Sequence, residues 1–384
     1  MDRRRALALV LVAFAVLIGA GALWVCIASV SQQKEEPEPG VESVQSDYRW
    51  FLSGAPEGSL LSYSGSDGHG IDEHRVTAFA PGGDAVWDWA DKAYATGIEA
   101  GPAQALLLKT EPSGVDGWED ISTLVRVSPD GEHEVARSAG EVLLVYADPQ
   151  EVVYLETLRD GLGVPSSMVV TLSEGRRLDT AMLGECTVEN VGVSGDRLVL
   201  AVIARDDEGC YIVWFQRGPG GSWEFERRES TDAYYISLSA DGRQAVLGPE
   251  QPVLVDRSTG RSVSLPVEGI AKARFGPERL LLLDYRIVDN EEMAVAYTVL
   301  LASNEVEWSR PLPVNPTIES DAGVTRLAYI QAGEGGVVVV DLPNRAERVY
   351  EVGPVDDLVF IDSDTLHVAL RDGSLKCLDV GVTR

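Results

Sequence analysis

The chain has 384 residues, 45% of them apolar, and a formal net charge of −29. That apolar share excludes a chain disordered along its length and is enough for one large packed domain or two ordinary ones. A field of this sign repels phosphate backbones, so no nucleic-acid partner is expected.

Residues 6–30, ALALVLVAFAVLIGAGALWVCIASV, carry no charge. As a helix they would span about 37 Å at roughly 1.5 Å per residue, against a hydrocarbon core of about 30 Å. Arg3, Arg4 and Arg5 precede the stretch, and positive charge is retained in the cytosol. The pattern predicts a single-pass signal anchor in the cell membrane. Residues 1–5 would be cytosolic and the rest extracytoplasmic. A cleaved signal peptide is the alternative, with Ala20-Gly21-Ala22 as its processing site. Residues 31–46, SQQKEEPEPGVESVQS, are polar and proline-containing and read as a tether.

From residue 47 to 384 the chain reads as all-β. Runs of four to nine residues rich in Val, Leu, Ile, Tyr and Phe alternate with turns of Gly, Asp, Pro and Ser, as in EVLLVYADPQEVVYLETL and DRLVLAVIARDDEGCYIVWF. Within 238–266 two turn tripeptides, Ala240-Asp241-Gly242 and Ser258-Thr259-Gly260, divide four short strands, here called a to d. Matching c–d turns fall at Gly83, Gly131, Gly175, Gly221, Gly260, Asn304, Asn344 and Gly381, at spacings of 37 to 48 residues. Glycine and asparagine suit tight hairpins that need positive φ. A period of this size with four strands per unit predicts an eight-bladed β-propeller, with units starting near 47, 93, 140, 185, 233, 270, 315 and 353. Two alternatives stay open. Seven blades with one irregular unit also fit, and VRVSPDGEHEVA could hold an a–b turn. The eighth unit has no room for strand d. Residues 41–45, VESVQ, could supply it and close the ring, removing an exposed edge.

RVTAFAPGGDAVWDWA and VLLASNEVEWSRPL place Trp87 and Trp308 four residues after a turn, and Phe225 holds the same offset in the fourth unit. These segments resemble the quinoprotein-type (PQQ-like) repeat, whereas ISLSADGRQAVLG resembles WD-repeat and TolB-like propellers. The resemblance implies that Trp87 and Trp308 dock neighbouring blades. Quinoprotein dehydrogenases hold a quinone over a vicinal disulfide and a calcium ion. Here no two cysteines are adjacent and no matching Glu, Asn and Asp cluster stands out, so no cofactor is expected.

No catalytic cluster emerges from the chain. GPGG at 218–221 lies between two strands and reads as a hairpin, because no helix follows to aim amides at an anion. DGHGIDEH, residues 67–74, offers Asp67, His69, Asp72, Glu73 and His74 as metal donors, or is simply a polar loop. Cys186 and Cys210 would open strands a and c of one blade, with strand b between them. Their Cα atoms would then start about 9–10 Å apart. A disulfide there needs a local bend, and buried thiols are the alternative.

One pattern is geometric. In a propeller the b–c loops share one face of the disc. Here they hold seventeen acidic side chains against three arginines and two histidines. Asp67, Asp72, Glu73, Asp206, Asp207, Glu208, Asp289, Glu291 and Glu292 are the candidate binding residues. Arg176, Arg177, Arg197, Arg243, Arg261, Arg279, Arg326 and Arg345 mark the opposite face. The expected function is non-catalytic binding or scaffolding of a protein or small ligand, with an envelope or membrane protein as the expected partner, docking through a basic segment. A quinoprotein-type or other propeller enzyme, and a sensor ectodomain working through a membrane partner, are the alternatives. A plain solvated loop set is the bland one.

Overall fold

The structure is a computed structural model. It describes residues 49–381 except 56, 67–71, 92–94, 100–103, 113–119, 148–149, 161–162, 174–175, 249–250, 289–290, 313–316 and 332–334. The apolar span, the tether and the VESVQ segment therefore lie outside the described residues.

Eight antiparallel sheets follow one another along the chain. Seven are four-stranded, in the order a-b-c-d, and cover 49–91, 95–138, 141–184, 187–230, 236–264, 272–312 and 318–351. The eighth, 355–379, has three strands among the described residues. Inner strands of successive blades touch one another at six of the eight seams, blade 8 against blade 1 included. This is an eight-bladed β-propeller, and its blades start within three residues of the predicted units. The Gly131 turn joins strands c and d of blade 2, which settles the register of VRVSPDGEHEVA.

The middle strands of each blade are covered on both faces by neighbouring blades, so they are continuously apolar rather than alternating. In blade 4, strand b (Val199–Asp206) is buried over six successive residues. Leu200, Val202 and Ala204 pack toward blade 3, and Val199, Ala201 and Ile203 pack toward blade 5. Strand d (Trp223–Ser230) is covered only on its inner edge and is largely exposed. This face-to-face packing gives seven apolar clusters, one at each seam from blades 1/2 to 7/8.

Trp87, 9% exposed, packs at the seam of blades 1 and 2, and Trp308 packs half-buried at the seam of blades 6 and 7. Phe225 departs from that pattern. It is 64% exposed, while Trp223 is buried in its place, its backbone N–H held 2.9 Å from Asp179 Oδ2. The cause is local. In blades 1 and 6 a bulged strand-d residue stands between the turn and the tryptophan, whereas in blade 4 the bulge, between the partners of Phe215 and Trp214, comes after Phe225, so a fixed count from the turn does not fix the side on which a side chain emerges. In blade 7 the left-handed residue of the c–d turn is Arg345 (φ 51°) rather than Asn344, whose amide groups hydrogen-bond Asp341 instead.

The seam between blades 8 and 1 has no apolar cluster among the described residues. Polar contacts and one close approach join it. Leu52 N–H donates to Asp357 Oδ2 at 2.8 Å, and Ser59 Oγ meets His367 Nδ1 at 2.7 Å. At Gly54 an added Cβ would stand 2.7 Å from Val359 Cγ2, so only glycine lets the two inner strands come this close.

Candidate functional site

In blade 4 a tight hairpin joins strands b and c at the face expected for the b–c loops. Asp206 pairs with Gly209 across it, leaving Asp207 and Glu208 at the tip, both exposed. Asp206 itself builds the turn. Its Oδ1 accepts the N–H groups of Glu208 (2.9 Å) and Gly209 (3.2 Å), and its Oδ2 accepts from Arg228 at 2.6 Å. Arg228 also lies over the Tyr211 ring, 3.4 Å from its centroid, and Arg205 donates to Glu189 at 2.9 Å. The hairpin is thus braced from both sides, and two carboxylates project from a fixed support.

The same division of labour recurs. Asp160 Oδ1 accepts the Val164 amide at 2.9 Å, and Asp372 Oδ1 accepts the Ser374 amide at 2.9 Å. Short acidic side chains that close turns count toward the charge of the face but are not available to grip a partner. Asp72 and Glu73 stand at the start of strand c of blade 1, and Glu291 and Glu292 at the start of strand c of blade 6. All four sit at the predicted end of their blades, in the ladder rather than in the loop. Asp67, His69 and Asp289 lie outside the described residues. Among the described residues no group of three metal-ligating side chains converges.

Of the eight arginines expected on the opposite face, five are paired or stacked. Arg279 is paired with Glu307, Arg177 with Glu156, Arg326 with Asp364, and Arg243 with Asp241. Arg197 lies over the Tyr146 ring at 4.7 Å. These five arginines are engaged locally.

Near the axis, the inner strands of blades 6 to 8 bring charges together that are far apart in sequence. Glu319 accepts from Lys272 and, at 3.0 Å, from Arg274 Nη1. Asp357 stands beside this group. Burial pushes its carboxyl up to about 6, against the opposing hydrogen bonds from the Leu52 and Leu358 amides. The two carboxylates face two cations and two backbone donors, an arrangement suited to tying inner strands together. Sequence spacing could not reveal it, because strand a of each blade contributes one or two residues only.

Cys186 and Cys210 are free thiols. Cys186 is buried toward blade 3 and Cys210 packs toward blade 5, so they leave opposite faces of the same sheet. That alternation, not the Cα distance alone, keeps them from bonding.

No protein-family model and no curated protein sequence matches the chain. Solved structures do. The chain is similar to the WD40 domain of SCAP from fission yeast, with a TM-score of 0.51, 9% identity, and 88% of this chain and 97% of that one covered. It also aligns with TolB from Acinetobacter baumannii at a TM-score of 0.39, 12% identity and 80% coverage of each chain. At such identities the likeness to the WD40 domain is one of fold, and it agrees with the blade count and strand order: the chain is a β-propeller.

Proposed function

We propose that this chain is a membrane-anchored, extracytoplasmic propeller that binds a protein partner through its b–c face and catalyses no reaction. The observation that carries the reading is the blade 4 hairpin, where Asp207 and Glu208 project from a turn held by Asp206, Arg228 and two backbone amides. A rigid loop on a rigid disc loses little entropy on binding, which suits recognition. The excess of acid in the b–c loops favours a basic segment as ligand and would speed its encounter at low salt. The uncharged stretch 6–30 and the arginines before it support the anchor and the placement of the propeller outside the cytosol.

The test is charge reversal at Asp207, Glu208, Glu291 and Glu292 to lysine, followed by crosslinking of the full chain in native membranes. Asp206 is left intact, because its loss would unfold the turn. The reading expects one or more crosslinked partners of the wild type to disappear in the variant and capture to weaken as salt rises. An identical partner set in both would end it.

A further inference from the structure

A cleft of about 330 Å³ opens between the outer strands of blades 6 and 7, at the c–d turn end of the disc. Its volume falls at the small end of the ligand-site range of about 300–1,000 Å³. Trp308, Val340 and Leu342 supply its apolar wall. Trp308 holds the same repeat position as Trp87, which is buried, yet here the indole is only half-covered and lines open space.

The charges around the cleft are not equivalent. Glu307 is committed to Arg279, taking hydrogen bonds from its Nε at 2.6 Å and its Nη2 at 3.2 Å. Glu347 is committed to Arg310 Nη1, at 2.6 and 2.5 Å. Both lining carboxylates are therefore largely neutralised by bidentate or shared pairing. Arg345 lines the same cleft, and its guanidinium has no ion pair or hydrogen bond among the described residues. It also sits in a left-handed backbone conformation, φ 51°, that disfavours arginine. Arg197 holds a comparable φ of 59°, and there the side chain stacks on Tyr146. Arg345 has no such reward among the described residues.

Behind Glu347 lies a further polar group. Tyr329 is 4% exposed, and among the described residues its hydroxyl makes no hydrogen bond. Burial keeps the phenol protonated, and it interacts with both Arg310 and Glu347. An apolar wall with half an indole, one uncommitted cation at the mouth and a neutral phenol behind define a ligand class. We propose that this cleft binds a small amphipathic organic anion: a flat apolar body lies on Trp308, and its carboxylate meets Arg345. The site lies on the face opposite the acidic loops, so it stands or falls independently of the partner reading above.

The probe is 2-naphthoate, titrated into the full chain by calorimetry, with 2-naphthamide as its uncharged counterpart. Arg345→Gly is the informative variant, because glycine accepts the left-handed backbone and the fold should be retained or stabilised. Arg261→Gly, in the corresponding turn of blade 5, is the control. The expected result is one-site binding of 2-naphthoate that weakens about tenfold or more in Arg345→Gly and for 2-naphthamide, with Arg261→Gly unchanged. The proposal is overturned by no 2-naphthoate binding at millimolar concentration. It is equally overturned if Arg345→Gly or the amide binds as well as the parent pair, or if Arg261→Gly weakens binding to the same degree.

Discussion

Ser59 Oγ lies 2.7 Å from His367 Nδ1, across 308 positions of sequence. The other ring nitrogen, Nε2, is 2.9 Å from the Pro81 carbonyl. A carbonyl can only accept, so Nε2 carries the hydrogen and Nδ1 accepts from the serine hydroxyl. One neutral imidazole thus ties strand b of blade 8 to two segments of blade 1. It does so at the seam where the described residues form no apolar cluster. The ring of blades is closed here by hydrogen bonds where every other seam is closed by oil.

That placement sets a pH dependence. Burial lowers the His367 pKa below its ordinary value near 6.5, against the Pro81 bond and the Asp362 charge, which raise it. A histidine with a depressed native pKa binds fewer protons folded than unfolded. Its contribution is complete above about 6.5 and is lost as pH falls through the native value. His367→Leu cannot titrate but orphans Ser59 and the Pro81 carbonyl, so it should cost about 1–3 kcal/mol at pH 7.5. The gap between wild type and variant should narrow as pH falls below 6.5. Urea unfolding at a series of pH values reads it, and a gap of constant size would show that the ring does not titrate at this seam.

Asp357 shifts in the other direction. Its carboxyl is raised to about 6 by burial first, with the Glu319 charge adding and Lys272 opposing. A carboxyl with a raised native pKa binds more protons folded than unfolded. The stabilisation it provides is complete below about 4 and is lost as pH rises through 6. Asp357→Asn keeps an oxygen for the Leu52 amide and removes the titration. Relative to this variant the wild type should gain roughly 2–3 kcal/mol as pH falls from 7 to below 4. At pH 7.5 the variant should be at least as stable. Parallel pH profiles for the two proteins would contradict the assignment.

The close approach at the same seam gives a steric prediction. Gly54→Val introduces carbons within 3.0 Å of both Val359 methyl carbons, so blades 1 and 8 must separate. The expected cost is about 1–3 kcal/mol, seen as a lower melting temperature. Gly82→Ala, with nothing within 4 Å of its added carbon, is the matched control and should melt as wild type. Equal melting of all three would mean that the inner strands do not meet as described.

Much of this fold was legible in one dimension. Strand-length apolar runs such as VLAVIAR and repeated tight turns at a near-constant period follow from local backbone and burial rules, and those rules place the blade boundaries. The acidic bias of the b–c loops was equally visible, since it needs only strand order. The roles of individual acids were not. Asp206 and Asp207 are neighbours of the same type, yet Asp206 closes a turn and Asp207 faces water. A single turn geometry makes the difference.

What the sequence by itself determined is the repeat: its period, where each unit begins, and that the eighth unit has no room for an outer strand of its own, whereas the choice of eight blades over seven needed the tertiary structure. It could do so because period, turn chemistry and strand apolarity are properties of contiguous residues. What only the tertiary structure decided is what happens between units. The Cys186 and Cys210 side chains leave opposite sheet faces, Phe225 turns outward just before a bulge, and His367 closes the ring with Ser59. Each depends on the direction of a side chain or on a partner hundreds of residues away. A one-residue change of ladder register reverses that direction while leaving the pattern of turns and apolar runs as it was.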